Sequence, residues 1–200
     1  MQRNTFVPLL ILVTLLIAGC NQTVERPDPP GEPSPGDSLP TRPGPPNAPP
    51  VQPDQTHGWT IGIVCATHQV TGVATLAEVR IARNEGFDRL VLEWEGDEIP
   101  SYRVEYVDQP VIQCGSGNPI RLQGDGVLLV RMEPGRAHDE NGRPTITDRS
   151  RRPSLPVVVE SRITCDFEAH LNWALGVATP NPFRVIELAQ PARLVVDVRH

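Results

Sequence analysis

The sequence contains no lysine and few aromatic residues. All 18 positive side chains are arginines, and Phe, Trp and Tyr together make up 4% of the 200 residues. So few aromatic side chains, beside 23 prolines, mean that the part able to build a hydrophobic core is shorter than the whole chain. From residue 57 onward the chain has nineteen carboxylates and fifteen arginines. This acidic balance argues against nucleic acid as a partner.

The sequence also lacks the short motifs that mark common enzyme sites. It has no Gly-x-Ser-x-Gly, no His-Glu-x-x-His and no phosphate-binding glycine loop, so we expect a non-catalytic protein without a cofactor or bound metal. A catalytic triad built from distant residues would leave no such motif. The alternative is a small exported enzyme or metal-binding protein that uses the thiol of Cys65 and the imidazole of His68. No second Cys or His pair is spaced to complete a zinc site.

No apolar run in the chain is long enough to cross a membrane comfortably. The run from Phe6 to Gly19 has fourteen residues, is interrupted by Pro8 and follows a weakly positive start. A membrane span needs roughly 20 apolar residues, so this run predicts the core of a signal peptide. It ends in Ile-Ala-Gly-Cys20, which resembles the lipobox of bacterial lipoproteins.

The lipobox resemblance implies that residues 1–19 are a signal peptide and that Cys20 is the lipidated first residue of the mature chain. The protein would then be exported and held at the cell membrane by its N-terminal acyl chains, such as palmitate. In a bacterium with two membranes, Asn21 would favour the outer one.

Residues 20–56 form a proline-rich segment. Twelve of the prolines lie between Pro27 and Pro53, where there is no aromatic and almost no aliphatic side chain. Such a segment buries too little apolar surface to offset its conformational entropy, so we predict a disordered, partly polyproline-like linker. At ~3.1 Å per residue it would extend up to roughly 100 Å, far enough to reach the cell wall.

Residues 57–200 have the size of one domain and the period-two alternation of β-strands. The segment 167–177 alternates apolar side chains with polar or small ones and predicts one half-buried strand. Turns rich in Gly, Asn, Asp and Pro separate the strands, and no long helical periodicity is present. The pattern predicts an all-β sandwich or open barrel. The other predicted strands are 76–82, 90–95, 102–107, 126–132, 155–163, 183–188 and 193–198.

Two segments of the domain share one pattern. PSYRVEYVDQP, residues 100–110, and NPFRVIELAQP, residues 181–191, are each an aromatic-Arg-Val strand that ends in Gln-Pro. Two strands of one pattern are candidates for equivalent positions in two facing sheets.

Five segments of the domain carry a family resemblance. They read EVRIARNEGFDRLVLEWEG, SYRVEYVDQP, CGSGNPIRLQGDGVLLVRM, CDFEAHLNWALGV and PFRVIELAQPARLVVDV. In this order they resemble the AMIN-like domain of bacterial secreted proteins and lipoproteins, over nearly all of residues 78–198. The resemblance implies a β-sandwich of two sheets at residues 57–200. It also implies a non-catalytic envelope module that binds peptidoglycan, another wall polymer or an envelope protein. True AMIN domains usually accompany a catalytic or pore-forming domain, and we expect no other folded domain here.

Three cysteines lie in the domain, and after export they would be in a compartment that permits disulfides. Cys114 lies beside the Gly-Ser-Gly-Asn loop and Cys165 lies near the start of a strand, so we favour a Cys114–Cys165 bridge with a stabilising role. Pairing of Cys65 with either of the two is the alternative.

Two polar segments are candidate ligand sites. Arg149, Arg151 and Arg152 would grip carboxylates of acidic wall polymers or peptide stems if they form a patch. The alternative is that arginine merely replaces lysine in a GC-rich genome. Residues 138–142, His-Asp-Glu-Asn-Gly, lack the ligand spacing of a calcium loop and predict a polar hairpin loop.

Overall fold

A computed structural model describes residues 57–200 of the chain. The predicted signal peptide, the lipid site at Cys20 and the proline-rich linker lie outside the described residues. Within the described part there is no helix. The strands are β1 (Val64–Ala66), β2 (Ala74–Asn84), β3 (Phe87–Trp94), β4 (Ser101–Val107), β5 (Val111–Ile112), β6 (Pro119–Ile120), β7 (Gly126–Glu133), β8 (Gly135–Arg136), β9 (Ser150–Arg151), β10 (Val158–Phe167), β11 (His170–Val177), β12 (Phe183–Leu188) and β13 (Arg193–Arg199).

Two sheets form a sandwich, which confirms the predicted all-β fold. A six-stranded sheet has the order β1-β4-β7-β11-β10-β9, and a five-stranded sheet has the order β12-β13-β3-β2-β8. Strands β5 and β6 form a small separate ribbon. Neighbouring strands are antiparallel except β2 and β8. Alternation did not predict β1, β5, β6, β8 and β9, because each has only two or three residues.

The hydrophobic core lies between the two sheets. Alternate side chains of each strand point inward, and the indole N–H of the buried Trp173 donates a hydrogen bond to Ser161 Oγ at 2.8 Å. The described residues thus bury a core of their own, so residues 57–200 can be produced without the preceding segment. Fully buried core side chains include Leu90, Leu92, Trp94, Val104, Val130, Leu171, Trp173, Leu175, Leu194, Val196 and Val198.

A second, smaller core lies on the outer face of the six-stranded sheet. The segment 108–125 folds across β7 and β11 and covers that face. Its backbone approaches closely, because a Cβ atom added at Gly176 would lie 2.2 Å from the carbonyl oxygen of Gln123. The second core consists of Val111, Leu122, Val127, Leu129 and Ala174.

The prediction of one half-buried strand over residues 167–177 was wrong in two respects. Phe167 ends β10, Glu168 and Ala169 form a hairpin turn, and β11 begins only at His170. Strand β11 is buried on both faces over most of its length, because segment 108–125 covers its outward-facing small residues. The predicted strand 155–163 begins late, at Val158, and extends to Phe167.

The two segments of similar pattern do lie in facing sheets. Strand β4 belongs to the six-stranded sheet and β12 to the five-stranded one. Their aromatic residues meet, since the rings of Tyr106 and Phe183 are edge-to-face at a centroid distance of 5.8 Å. The Tyr102 hydroxyl donates a hydrogen bond to Glu187 at 2.7 Å.

Two fully buried carboxylates connect distant parts of the sandwich. Asp88 accepts hydrogen bonds from the backbone N–H groups of Val157 and Val158, at 2.8 and 2.9 Å, and so ties β3 to the start of β10. Asp197 accepts two hydrogen bonds from Arg89, at 2.6 and 2.9 Å, and one from Arg184 at 2.7 Å. Both carboxylates are fully hydrogen-bonded, as buried charges require.

Candidate functional site

A groove of about 400 Å³ lies on the outer face of the six-stranded sheet, between segment 108–125 and the β10–β11 hairpin. The disulfide between Cys114 and Cys165 lines it and ties the segment to β10, with 5.1 Å between the two Cα atoms. The predicted bridge is therefore present. We call this surface the disulfide groove; its polar and aromatic lining consists of Arg131, Glu133, Phe167, Glu168, His170 and Asn172.

Arg131 supplies a positive charge at one end of the disulfide groove. Strand register places Arg131 between Arg103 of β4 and Asn172 of β11. Glu105 accepts hydrogen bonds from both arginines, from Arg103 at 2.8 Å and from Arg131. The bond from Arg103, assisted by Arg131, lowers the pKa of Glu105 below its ordinary value despite partial burial. Two guanidinium groups thus share one carboxylate, so Arg131 retains N–H groups for an anionic ligand.

The other end of the groove is acidic and has an exposed aromatic ring. Glu133 pairs with His170 at 3.2 Å, and Glu168 lies on the hairpin turn beside them. Phe167 is 52% exposed although it is a large apolar side chain. The groove therefore offers a cation, carboxylates, the amide of Asn172 and an aromatic face within one concavity, a combination typical of ligand sites.

The turn at the rim of the groove has an unusual backbone. Glu168 and Ala169 both have positive φ, at 50° and 63°. Two-residue hairpin turns of this kind favour Asn-Gly or Gly-Gly, because side chains disfavour the left-handed region. The turn is held by the N–H of Gly135, which donates to the carbonyl of Ala169 at 2.7 Å. Such local strain is frequent at binding sites.

The three arginines predicted as a ligand patch lie elsewhere, on and beside the edge strand β9. Arg149 donates to Asp166 at 2.7 Å, Arg151 lies 3.0 Å from Asp148, and Arg152 lies 4.0 Å from Glu160. Burial alone would raise the pKa of Asp166, but the N–H of Ala137 and Arg149 hold it below its ordinary value. Each arginine therefore has a carboxylate partner, and the Arg152 side chain is the most exposed of the three, at 68%.

Cys65 and His68, the pair of the alternative hypothesis, lie close in sequence. Cys65 is in β1, opposite Arg103. The Nδ1 atom of His68 lies 3.1 Å from the carbonyl of Ile99, and its Nε2 atom lies 3.4 Å from Glu187. Hydrogen bonding to Glu187 raises the pKa of His68, which favours the protonated ring. Among residues 57–200 no group of three or more His, Cys, Asp or Glu side chains is placed to hold a metal ion.

His68 belongs instead to a polar cluster that joins the two sheets at one side of the sandwich. Glu187 of β12 accepts a hydrogen bond from Tyr102 of β4, whose hydroxyl also lies 3.2 Å from Nε2 of His57. Burial would raise the pKa of Glu187, but its bonds to His68 and Tyr102 lower it overall. Burial and the bond to Glu187 raise the pKa of Tyr102.

Sequence patterns predicted the Cys114–Cys165 bridge of the disulfide groove but none of its other lining residues. Phe167, Arg131 and Asn172 come from three strands and become neighbours only through strand register. Polar residues at outward positions of β7 and β11 were the available signal. The polar hairpin loop predicted at residues 138–142 is present, since Asp139 accepts hydrogen bonds from the N–H groups of Asn141 and Arg143.

The model of the AMIN-like domain family matches residues 74–200, more than half of the chain. The chain belongs to the AMIN-like family. The resemblance seen in the sequence is confirmed, and an AMIN-like domain implies a bacterial envelope protein. The match begins after β1, although β1 belongs to the six-stranded sheet.

One curated relative of the AMIN-like chain is the UDP-N-acetylmuramoylalanine--D-glutamate ligase of Synechococcus sp. (strain JA-2-3B'a(2-13)), 30% identical over 116 residues. The match covers 57% of this chain and 23% of the ligase, so the chain spans less than a quarter of that protein's length. No solved structure matches the chain. The described residues include no helix long and apolar enough to cross a membrane.

Proposed function

We propose that this protein is a non-catalytic, lipid-anchored envelope module that binds peptidoglycan through the disulfide groove. The carrying observation is the mixed lining of that groove: the Arg131 guanidinium, the Asn172 amide, an exposed Phe167 ring and two carboxylates. Peptidoglycan offers the matching groups, namely carboxylates and amines on its peptide stems, acetamido groups on its sugars and apolar sugar faces.

The roles of the lining residues follow from their chemistry. The Arg131 fork binds a stem carboxylate, because its partner Glu105 is shared with Arg103. Asn172 donates to and accepts from an acetamido group, and the Phe167 ring packs against a sugar face. Glu133 and Glu168 attract an amine at the acidic end of the groove.

The comparisons support a connection with the cell wall. The AMIN-like family is an envelope family, and the ligase relative is named for N-acetylmuramoylalanine and D-glutamate, which are building blocks of peptidoglycan. Both ring nitrogens of His68 lie near other groups, the carbonyl of Ile99 and the carboxylate of Glu187, which supports the non-catalytic part of the proposal. The lipid on Cys20 and the linker over residues 20–56 are part of the proposal on sequence grounds.

Sedimentation with purified peptidoglycan tests the proposal. The domain of residues 57–200 should be retained by insoluble peptidoglycan, and retention should fall as salt screens the Arg131 contact. Phe167→Ser and Asn172→Ala should each weaken binding roughly tenfold, or about 1.4 kcal/mol. Both side chains are partly exposed at the surface of the sheet, so both variants should fold.

Arg152→Gln is the matched control, since it removes an exposed side chain from the predicted arginine segment and leaves the groove intact. Retention of this variant should equal that of the wild type. If Arg152→Gln loses binding while Phe167→Ser keeps it, the arginines at 149–152 are the site. If the wild-type domain stays in the supernatant at low salt, the wall-binding proposal is wrong and an envelope protein becomes the expected partner.

A further inference from the structure

Arginine and aromatic side chains cluster on the outer face of the five-stranded sheet. Two guanidinium groups lie over Trp59, with the Cζ atoms of Arg184 and Arg199 at 4.6 and 4.9 Å from the ring centroid. Arg184 also lies 5.1 Å from the ring of Phe87. Stacking on an aromatic ring orients a guanidinium without using its N–H groups. Arg184 donates its Nε–H to Asp197, and the other N–H groups of the two guanidinium groups can bind acceptors outside the protein.

The cluster has more positive than negative charge. Asp197 is fully buried beneath Arg89 and Arg184 and is the carboxylate that both contact. Among the described residues, no carboxylate lies within ion-pair distance of Arg199, which is exposed. Three guanidinium groups thus accompany one carboxylate, on a domain whose overall charge is negative.

Exposed apolar side chains follow directly after Trp59 in the chain. Ile61 is 68% exposed and Ile63 is 52% exposed. Both isoleucines lie in the short connection between the two sheets. It begins at Thr60, which pairs with Phe183 at the edge of the five-stranded sheet, and ends at β1, at the edge of the six-stranded sheet. Two exposed isoleucines in a three-residue stretch are unusual for a water-facing crossing.

We propose that this surface, made of Trp59, Ile61, Ile63, Arg184 and Arg199 and called here the basic edge, docks on a bilayer that contains anionic phospholipids. The arginines contact the headgroup phosphates, and the two isoleucines enter the boundary between headgroups and acyl chains. The negative charge of the rest of the domain repels the bilayer and so favours this orientation.

The isoleucines distinguish a bilayer from a soluble or wall-bound polyanion. A polyanionic polymer would satisfy Arg184 and Arg199 but would leave Ile61 and Ile63 in water. A bilayer satisfies both, because its apolar interior lies directly beneath its charged groups. The observed pairing of charge and exposed apolar surface therefore favours the bilayer.

The inference rests on the proposed function in one respect, the lipid on Cys20. In the sequence, a lipid on Cys20 would be joined to the domain at residue 57, two residues before Trp59 of the basic edge. A tether raises the effective concentration of bilayer near this surface, so a weak intrinsic affinity is sufficient. Docking at the basic edge leaves the disulfide groove, on the other sheet, open toward the wall.

Vesicle sedimentation with the unacylated domain of residues 57–200 tests the inference without the tether. We expect binding to vesicles of equimolar phosphatidylglycerol and phosphatidylcholine and none to pure phosphatidylcholine. Arg199→Gln should lower the partition coefficient roughly fivefold. Ile61→Ser combined with Ile63→Ser should lower it at least severalfold, because less apolar area enters the bilayer.

Arg121→Gln and Ile112→Ser are the matched controls, because both remove exposed side chains from the segment that covers the opposite sheet. Neither should change vesicle binding. The inference is wrong if the wild-type domain binds neither kind of vesicle or binds both equally. It is also wrong if the basic-edge variants bind as well as the wild type. If the wild-type domain binds no vesicles and Arg199→Gln loses peptidoglycan retention, the basic edge binds the wall polymer instead. Phe167→Ser should lose peptidoglycan but keep vesicles, which separates failure of one proposal from failure of the other.

Discussion

At the residue scale, the motif residues that mark the family have structural tasks. Asp88 and Arg89 belong to the Gly-Phe-Asp-Arg motif, and Asp197 belongs to the closing Val-Val-Asp-Val. Asp88 holds the start of β10, while Arg89 and Asp197 pair across neighbouring strands. These residues make the fold recognisable in the sequence, but they line neither the disulfide groove nor a reaction centre. Other residues of the resembling segments, such as Arg131 and Phe167, do line the groove, but the resemblance assigned no role to them. Recognition of the family therefore did not identify the candidate site.

The ion pair of His68 and Glu187 should make stability depend on pH. The pKa of His68 is raised in the folded domain, so the pair contributes fully below the ordinary histidine pKa of about 6.5 and is lost as pH rises through the raised value. Glu187, with its lowered pKa, stays ionised throughout. The free energy of unfolding of the wild-type domain should exceed that of the His68→Gln variant by up to about 1 kcal/mol near pH 5.5. The difference should be smaller near pH 9. Urea unfolding at both pH values measures this difference.

His170→Gln controls for the loss of an imidazole, because His170 and its partner Glu133 are both more than half exposed. The difference in the free energy of unfolding between the wild type and His170→Gln should be similar at the two pH values. A His68→Gln difference that is the same at both pH values would show that the ion pair contributes nothing.

At the element scale, the long strands were predictable and the short ones were not. Strand β12 was predicted with its exact bounds, because alternation and flanking prolines define it. The β10–β11 turn was missed because Glu168-Ala169 lacks the Asn or Gly that usually signals positive φ. The disulfide groove depends on this turn and on segment 108–125, so it could not be derived from alternation. Register and long-range packing, rather than local pattern, determine its lining.

Ala169→Gly should stabilise the domain. A side chain in the left-handed region costs free energy that glycine does not, and this gain exceeds the extra entropy of the unfolded chain. The expected increase in the free energy of unfolding is roughly 0.5–1 kcal/mol. Denaturant unfolding measures it, with Ala82→Gly in the exposed part of β2 as the control, which should lose stability instead. A destabilised Ala169→Gly would mean that the turn carries no strain.

At the scale of the whole molecule, the sandwich carries an additional layer over one face. Alternation predicted an all-β sandwich or open barrel, and the AMIN-like resemblance implied two sheets. The positions of Cys114 beside the Gly-Ser-Gly-Asn loop and of Cys165 near a strand start favoured the Cys114–Cys165 bridge. They did not predict that segment 108–125 covers the six-stranded sheet, because its apolar residues Val111 and Leu122 form no periodic pattern. The disulfide holds that layer to the sandwich.

Removal of the disulfide should loosen this layer first. Cys114 and Cys165 are 51 residues apart, and a bridge closing such a loop contributes about 2–4 kcal/mol. The Cys114→Ser, Cys165→Ser double variant should lose stability by that amount. Hydrogen exchange should accelerate most at the amides of segment 108–125 and least in β3 and β13. Uniform acceleration throughout the sandwich, or none, would contradict this role.

The pairing of residues 57–60 with β12 also protects the molecule from self-association. Backbone bonds from His57 to Val185 and between Thr60 and Phe183 occupy part of the outer side of this edge strand. An unpaired sheet edge is a template for strands of other chains. A chain trimmed to the family boundary at residue 74 would lose this cover and β1 together, exposing edges at β12 and β4. Such a truncated chain would be prone to aggregation even though most of its core is intact.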